Sequence, residues 1–217
     1  GASTLGYTDA TASAGVNYID TVRPFSGDVK GDWSSTGTLK RLADPTVASV
    51  TNATAGITAK WNKTAGASGY IVYRKGTSGS WTRIADVKSG SATSYTDKTA
   101  SSGSTYSYTV RAYSGKTMSD WHNYTSLKRL ADPKFDSAYA VKAGITLKWR
   151  KVTGAGGYIL YRKASGGSWA RIADIKSGST LKYVDTTAAG GVKYSYTIRA
   201  YSGQVMSSWS SVRNIAR

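Results

Sequence analysis

Cysteine is missing from all 217 residues, which excludes a disulfide framework and a thiolate metal site. Glutamate is missing as well, so all 12 acidic residues are aspartate. The single histidine, His122, matches Ser210 one period along the chain, so a catalytic or metal-binding histidine lacks partners. No apolar run approaches the ~18 residues of a membrane-crossing helix. No leader or anchoring signal is recognised, and the opening Gly1-Ala2-Ser3 reads as an expression remnant. The chain reads as a fragment of something larger, and no cofactor is expected.

What the chain has instead is an internal repeat. Lys40-Arg41-Leu42-Ala43-Asp44-Pro45 returns as Lys128-Arg129-Leu130-Ala131-Asp132-Pro133, 88 positions on. Trp81-Thr82-Arg83-Ile84-Ala85-Asp86 returns as Trp169-Ala170-Arg171-Ile172-Ala173-Asp174, and Tyr106-Ser107-Tyr108-Thr109 as Tyr194-Ser195-Tyr196-Thr197, at the same spacing. No gap is needed anywhere. A fixed period of this length marks a domain-sized unit with its own core. Extended backwards, the period matches Tyr7, Asp9, Gly15, Tyr18, Val22, Arg23 and Trp33 to Tyr95, Asp97, Gly103, Tyr106, Val110, Arg111 and Trp121. Residues 1–43 therefore read as the C-terminal half of a truncated repeat, followed by whole repeats at 44–131 and 132–217.

The formal charge of +17 is unevenly spread. Residues 1–43 hold four basic and four acidic side chains, residues 44–131 eleven and four, and residues 132–217 fourteen and four. Such a balance favours anionic partners and salt-sensitive binding, and says nothing about fold. Lysine-rich strand surfaces that resist edge-to-edge aggregation are the plainer explanation.

Within 44–131 the pattern is short strands between turn residues, with helical periodicity nowhere. Strands are expected near 46–52, 56–62, 70–74, 81–87, 94–97, 106–113 and 118–128. In the second, Ile57, Ala59 and Trp61 share one face; in the sixth, Tyr106, Tyr108, Val110 and Ala112 point inward. Ser114-Gly115-Lys116 reads as a hairpin turn. Repeat 132–217 strengthens the core with Phe135 for Val47, Leu147 for Ala59 and Leu160 for Val72. The short linker, stiffened by Pro133, predicts a fixed end-to-end array.

An inward Trp ending strand two, an inward Tyr in strand three and Tyr106 or Tyr194 opening strand six together resemble a fibronectin type III domain. The resemblance implies an all-β fold of tandem seven-stranded, immunoglobulin-like β-sandwiches. It also implies that the Tyr106 and Tyr194 hydroxyls bond back to the backbone as tyrosine corners. Gly-Tyr-Ile-(Val/Leu)-Tyr-Arg-Lys and Tyr-x-(Val/Ile)-Arg-Ala-Tyr look like tandem copies in secreted and wall-attached proteins of Gram-positive gut bacteria. The fold alone is a poor guide to function.

The half-repeat departs twice from this pattern. Asp20 sits where Tyr108 and Tyr196 point inward, and Pro24 replaces Ala112 and Ala200, where a lost donor is costly. It should supply strands five to seven only, leaving half a core open. Another chain, a partner, or repeat 44–131 itself is expected to cover it, strand exchange being one route. A truncated remnant is the plain alternative.

An enzyme is not expected. The aspartates fall at turns, and no phosphate loop, nucleophile elbow or metal-spaced cluster is present. The candidate binding face is the outer side of strands three, four, six and seven: Ile71, Tyr73, Arg83, Arg111 and Tyr113, repeated as Ile159, Tyr161, Arg171, Arg199 and Tyr201. Trp81 and Trp169 either border this face or turn into the core. Tyr beside Arg offers rigid aromatic area and forked donors; cross-strand packing without a ligand is the stronger reading. Trp61, Trp149, Trp121 and Trp209 read as core or edge packing. Asn52-Ala53-Thr54, Asn62-Lys63-Thr64 and Asn123-Tyr124-Thr125 fit the N-glycosylation pattern, which in a bacterial protein reads as chance.

These readings predict a non-enzymatic extracellular module of a bacterial surface protein, secreted or wall-attached, that acts in adhesion and spacing. The expected partner is a host or cell-wall macromolecule (protein, glycan or polyanion), one version being a host protein such as an immunoglobulin. Nucleic acid fits less well, because the basic residues form no dense run. A carbohydrate-binding or accessory module of a larger secreted enzyme, and an inert stalk, are the alternatives.

Overall fold

The computed structural model describes residues 6–217; Gly1-Ala2-Ser3 lie outside the described residues. The N-terminal segment forms β1 (Asn17–Asp20), β2 (Phe25–Ser26), β3 (Val29–Lys30) and β4 (Gly37–Lys40). The first whole repeat forms β5 (Val47–Ala53), β6 (Gly56–Trp61), β7 (Gly69–Gly76), β8 (Thr82–Val87), β9 (Ser94–Asp97), β10 (Thr105–Ser114), β11 (Thr117–Met118) and β12 (Thr125–Lys128). The second forms β13 (Phe135–Val141), β14 (Gly144–Trp149), β15 (Gly157–Ala164), β16 (Ala170–Ile175), β17 (Lys182–Asp185), β18 (Lys193–Ser202), β19 (Val205–Met206) and β20 (Arg213–Ala216).

Each whole repeat is a sandwich of two antiparallel sheets. In the first, β5-β6-β9 faces β8-β7-β10, with β11 and β12 both pairing the far edge of β10. In the second, β13-β14-β17 faces β16-β15-β18 with β19 and β20. The seventh strand is thus broken, where the sequence predicts one continuous strand. Ser119 stands at the break. Its N–H donates to Ala112 O at 2.9 Å and its hydroxyl accepts from Ala112 N at 3.0 Å, so one residue satisfies both backbone groups of Ala112 and the chain then bows outward. Ser207 does the same to Ala200.

Alternation along the strands places the cores. Ile57, Ala59, Trp61, Tyr70, Val72, Tyr108, Val110 and Ala112 are buried together in the first sandwich. Ile145, Leu147, Trp149, Tyr158, Leu160, Tyr196, Ile198 and Ala200 fill the second. Leu147 for Ala59 and Leu160 for Val72 add buried methyl and methylene groups, each stabilising by about 0.8 kcal/mol. At the sandwich edge, Tyr106 Oη accepts from Ser101 N at 3.2 Å and Tyr194 Oη from Ala189 N at 2.9 Å, which are the expected corners. Tyr18 accepts from Ser13 N at 2.6 Å, so the half-repeat keeps this feature too.

The linkers belong to the cores. Leu42 is buried in the first sandwich and Leu130 in the second, each ahead of its proline. Asn52, on β5, closes the junction between the sandwiches. Its Nδ2 donates to Lys128 O at 3.1 Å and to Met206 O at 3.2 Å, while its Oδ1 accepts from Leu130 N at 3.1 Å. Ser208 Oγ donates to Asn52 O at 3.1 Å, and Lys128 Nζ to Ser202 Oγ at 3.1 Å.

The half-repeat forms only part of what the period predicts. β1 pairs with β4 and β2 with β3, in the registers of the corresponding pairs in the whole repeats. Residues 6–9, expected as strand five, form no strand. In the whole repeats strand five pairs only with strand two, and residues 6–43 supply no strand two. Residues 21–24 fall out of strand six, because the strand three that flanks this stretch in the whole repeats is also absent. Repeat 44–131 does not cover the open face: Val22 is 69% and Leu39 59% exposed. It meets the half-repeat through a glycine contact, a methyl group built on Gly66 lying 2.7 Å from Gly15 Cα. The junction between whole repeats has the same contact, with 2.5 Å between a methyl on Gly154 and Gly103 Cα. Gly66 and Gly154 have φ of +74° and +84°, values that themselves favour glycine.

Candidate binding face

The outer face of the larger sheet is built around a tryptophan that the sequence assigns to packing. Where strand seven bows away at Ser119, Trp121 turns back over β7 and β10. Its ring lies 4.5 Å from Tyr73 and 5.2 Å from the Arg111 guanidinium. Arg111 is steered there by its Nε, which donates to Ser119 O at 2.6 Å. Tyr161, Trp209 and Arg199 repeat the stack at 4.9 Å for both contacts, with Arg199 Nε on Ser207 O at 2.8 Å. The half-repeat keeps Arg23 5.3 Å from Trp33 and on Gly31 O at 2.6 Å. The Arg–Trp stack therefore belongs to the hairpin of strands six and seven and needs no strand three. Trp121 and Trp209 are 45% and 47% exposed, so they are surface residues and not core.

The other predicted residues divide into tethered and free. Tyr113 lies over Gly69, where a side-chain methyl would come 2.4 Å from its hydroxyl, and donates to Asp86 Oδ1 at 2.9 Å. That hydrogen bond, with burial, raises the Tyr113 pKa above its ordinary value. Arg83 pairs with the other oxygen of Asp86 at 2.9 Å. Tyr201, Gly157, Asp174 and Arg171 repeat the arrangement, and there burial leads the rise in the Tyr201 pKa, followed by the bond to Asp174. These four predicted residues hold strand four to strand six. Ile71, predicted as part of the face, is buried at 5% exposure between Arg111 and Asp86 in the ladder, so it offers no surface. Ile159 is half-buried.

Trp81 and Trp169 border the face and are not core. Lys75 Nζ lies 4.9 Å from Trp81, and Lys163 Nζ 5.3 Å from Trp169. Only the first repeat extends this edge. Trp81 stands 6.2 Å from Trp121 and 5.8 Å from Tyr124, and Lys75 Nζ is 5.1 Å from Tyr124. Trp81, Thr109, Trp121, His122, Asn123 and Tyr124 line a groove of about 270 Å³.

The turn aspartates have a structural role that the sequence does not disclose. Asp97 Oδ1 caps its turn, accepting from Thr99 N at 2.9 Å and Thr99 Oγ1 at 2.7 Å. Its Oδ2 accepts from Arg74 Nη1 at 2.8 Å and Tyr108 Oη at 2.7 Å. Burial pulls the Asp97 pKa up, but the bonds from Thr99, Tyr108 and Arg74 outweigh it and leave the carboxyl below its ordinary range. Asp185 is held in the same way by Thr187, Tyr196 and Arg162. A carboxylate so fully engaged suits neither a general base nor a nucleophile. Among the described residues no group of three or more His or Asp side chains is placed to hold a metal ion.

No protein-family model matches the chain, and no curated protein matches it. Solved structures do. A two-domain fibronectin type III segment of chicken tenascin superposes with a TM-score of 0.43 at 16% identity, over 81% of this chain and 99% of that one. The FN1–FN3 domains of chicken CNTN1 give 0.40 at 15% identity, over 93% of this chain and 76% of that one. By its own strand pairing the chain is all-β, with tandem seven-stranded sandwiches of fibronectin type III-like layout.

Proposed function

We propose that this chain is a non-enzymatic extracellular module, a stiff spacer whose sheet faces adhere to a surface macromolecule. Residues 44–131 and 132–217 act as two domains, and 1–43 as the C-terminal half of a third. The observation that carries the reading is the Tyr73–Trp121–Arg111 stack and its copy on Tyr161, Trp209 and Arg199, set at a fixed offset by the Asn52 junction. Half-exposed tryptophan and arginine on a rigid sheet provide contact area at low entropic cost. Two such faces on one stiff chain add avidity to a repetitive partner. The net charge of +17 favours an acidic partner, and attachment to a bacterial surface with a host protein as ligand is the specific version.

The test is capture on the immobilised chain from serum proteins, mucus proteins and isolated bacterial walls, at low and high salt. Tyr73→Ala with Tyr161→Ala, checked for folding by near-ultraviolet circular dichroism, should abolish salt-resistant capture of a protein. Capture indifferent to both substitutions would overturn the adhesive reading and leave a stalk.

A further inference from the structure

We propose that the groove between Trp81, Trp121 and Tyr124 of the first repeat is a binding site for a single sugar unit carrying a carboxylate. The internal repeat serves as the control. Side chains shared by equivalent positions are explained by the common scaffold, so a cluster present in one repeat alone calls for another explanation. His122, Asn123 and Tyr124 are such a cluster; the second repeat has Ser210, Ser211 and Val212. Ser210 is a scaffold residue: its hydroxyl lies 3.2 Å from Thr197 Oγ1 and accepts from Ile198 N at 3.1 Å. Ser34 makes the matching contacts in the half-repeat, to Thr21 and Val22. Two of three copies thus use a serine to fasten strand seven to strand six.

The first repeat gives up that fastening. His122 is exposed, Thr109 Oγ1 donates instead to Asn123 O at 2.7 Å, and Asn123 Oδ1 accepts from Val47 N at 2.9 Å. The segment is re-anchored from the other side, which presents the Tyr124 ring, 58% exposed, to Trp81. Trp81 and Tyr124 meet at 63°, making a notch and not a flat stack. A notch suits the C–H faces of a puckered ring better than a planar base, which stacks on one ring at a time. The volume of about 270 Å³ lies just below the range of about 300–1,000 Å³ usual for ligand sites, which limits the occupant to one unit.

Charge selects among sugars. Lys75 Nζ, beside both rings, is in no hydrogen bond or ion pair among the described residues. Arg111, stacked on Trp121, commits only its Nε. Among the described residues no carboxylate lines the groove, while Lys75 and Arg111 stand against its aromatic rings. The ammonium already beside Trp81 and Tyr124 disfavours a cationic ligand, and an ionised carboxylate would gain a charge-assisted bond there.

The inference extends the adhesive role to a site which that role does not require, so its test is separate. Titration of the whole chain with galacturonic acid oligomers and with neutral galactose oligomers, read by tryptophan fluorescence, should show saturable binding at least tenfold tighter for the acidic series. His122→Ser, Asn123→Ser and Tyr124→Val together install the second repeat's own residues, so the variant has a tested fold to adopt. It should lose at least tenfold in affinity while capture of a protein partner through Tyr73 and Tyr161 persists. The reverse graft, Ser210→His, Ser211→Asn and Val212→Tyr, should raise the stoichiometry from one site to two. Equal binding of neutral and acidic sugars, tighter binding of adenosine monophosphate than of either, or unchanged sugar binding in the triple variant would overturn the assignment.

Discussion

The backbone N–H of Ala112 donates to the hydroxyl of Ser119, and where the half-repeat places Pro24 at the first position it places Gly31 at the second. The two changes are matched. Proline has no N–H to satisfy, and glycine has no hydroxyl to offer. The fit is steric as well, because a methyl built on Gly31 would lie 2.9 Å from the Pro24 ring. Gly31 N still donates to Pro24 O at 3.0 Å, so the turn survives. The donor that proline lacks is one that, in the whole repeats, meets a side chain and not strand three.

Removing only one member of such a pair should therefore be costly. Ser207→Gly leaves the buried Ala200 N–H without its partner, at about 1–3 kcal/mol. Ala200→Pro alone should crowd Ser207. The double variant should be more stable than the sum of the two losses, by a coupling measurable in a urea-denaturation cycle. Simple additivity would show that the pairing in the half-repeat is coincidental.

Acid should unfold the whole repeats through Asp97 and Asp185. Both carboxyls lie below the ordinary value of 3.8 in the folded state. Their contribution to stability is thus present above that value and is lost as pH falls through the lower folded values. Tyr108→Phe removes a hydrogen bond to the Asp97 carboxylate, costing about 1.5–3 kcal/mol at neutral pH. Thermal unfolding from pH 7 down to pH 2 should show the variant's acid dependence reduced. An undiminished slope would place the acid sensitivity elsewhere.

Asn52→Ala should loosen the junction more than either sandwich. It removes two donors and one acceptor that meet Lys128, Met206 and Leu130. Small-angle scattering should then show a broader spread of inter-repeat orientations, and a protease should cut sooner between residues 127 and 133. The unfolding midpoint of the second repeat should move little, because Leu130 keeps its place in the core.

The Arg–Trp stack offers a direct energetic comparison. A double-mutant cycle on Arg199 and Trp209 should give a coupling of about 0.5–1 kcal/mol, as for an exposed cation–π pair. The same cycle on Arg23 and Trp33, which has no strand three beneath it, should give a value at or below that. A larger coupling in the half-repeat would mean that the tyrosine of strand three does not help to hold the stack.

Much of this architecture is legible because the chain states it more than once. The strands, the tyrosine corners and the inward faces follow from alternation and from the ungapped period. The position of Trp121 does not. Counting inward and outward along one continuous strand assumes that the parity persists, and the break after Met118 interrupts the ladder so that parity restarts after the bow. The engagement of Asp97 is hidden for a different reason. Its turn-capping half is local, with Thr99 two residues on, but Arg74 arrives from a strand 23 residues earlier and Tyr108 from one 11 residues later. The groove beside Tyr124 is not legible in the sequence, because its residues break the repeat and agreement between copies points away from them.

The glycine contact that joins the half-repeat to the first sandwich recurs between the first sandwich and the second. Backbone meets backbone at both junctions with no room for a side chain between them. Any residue larger than glycine at 66 or 154 would wedge two neighbouring units apart, so each joint closes only as far as its smallest residue allows.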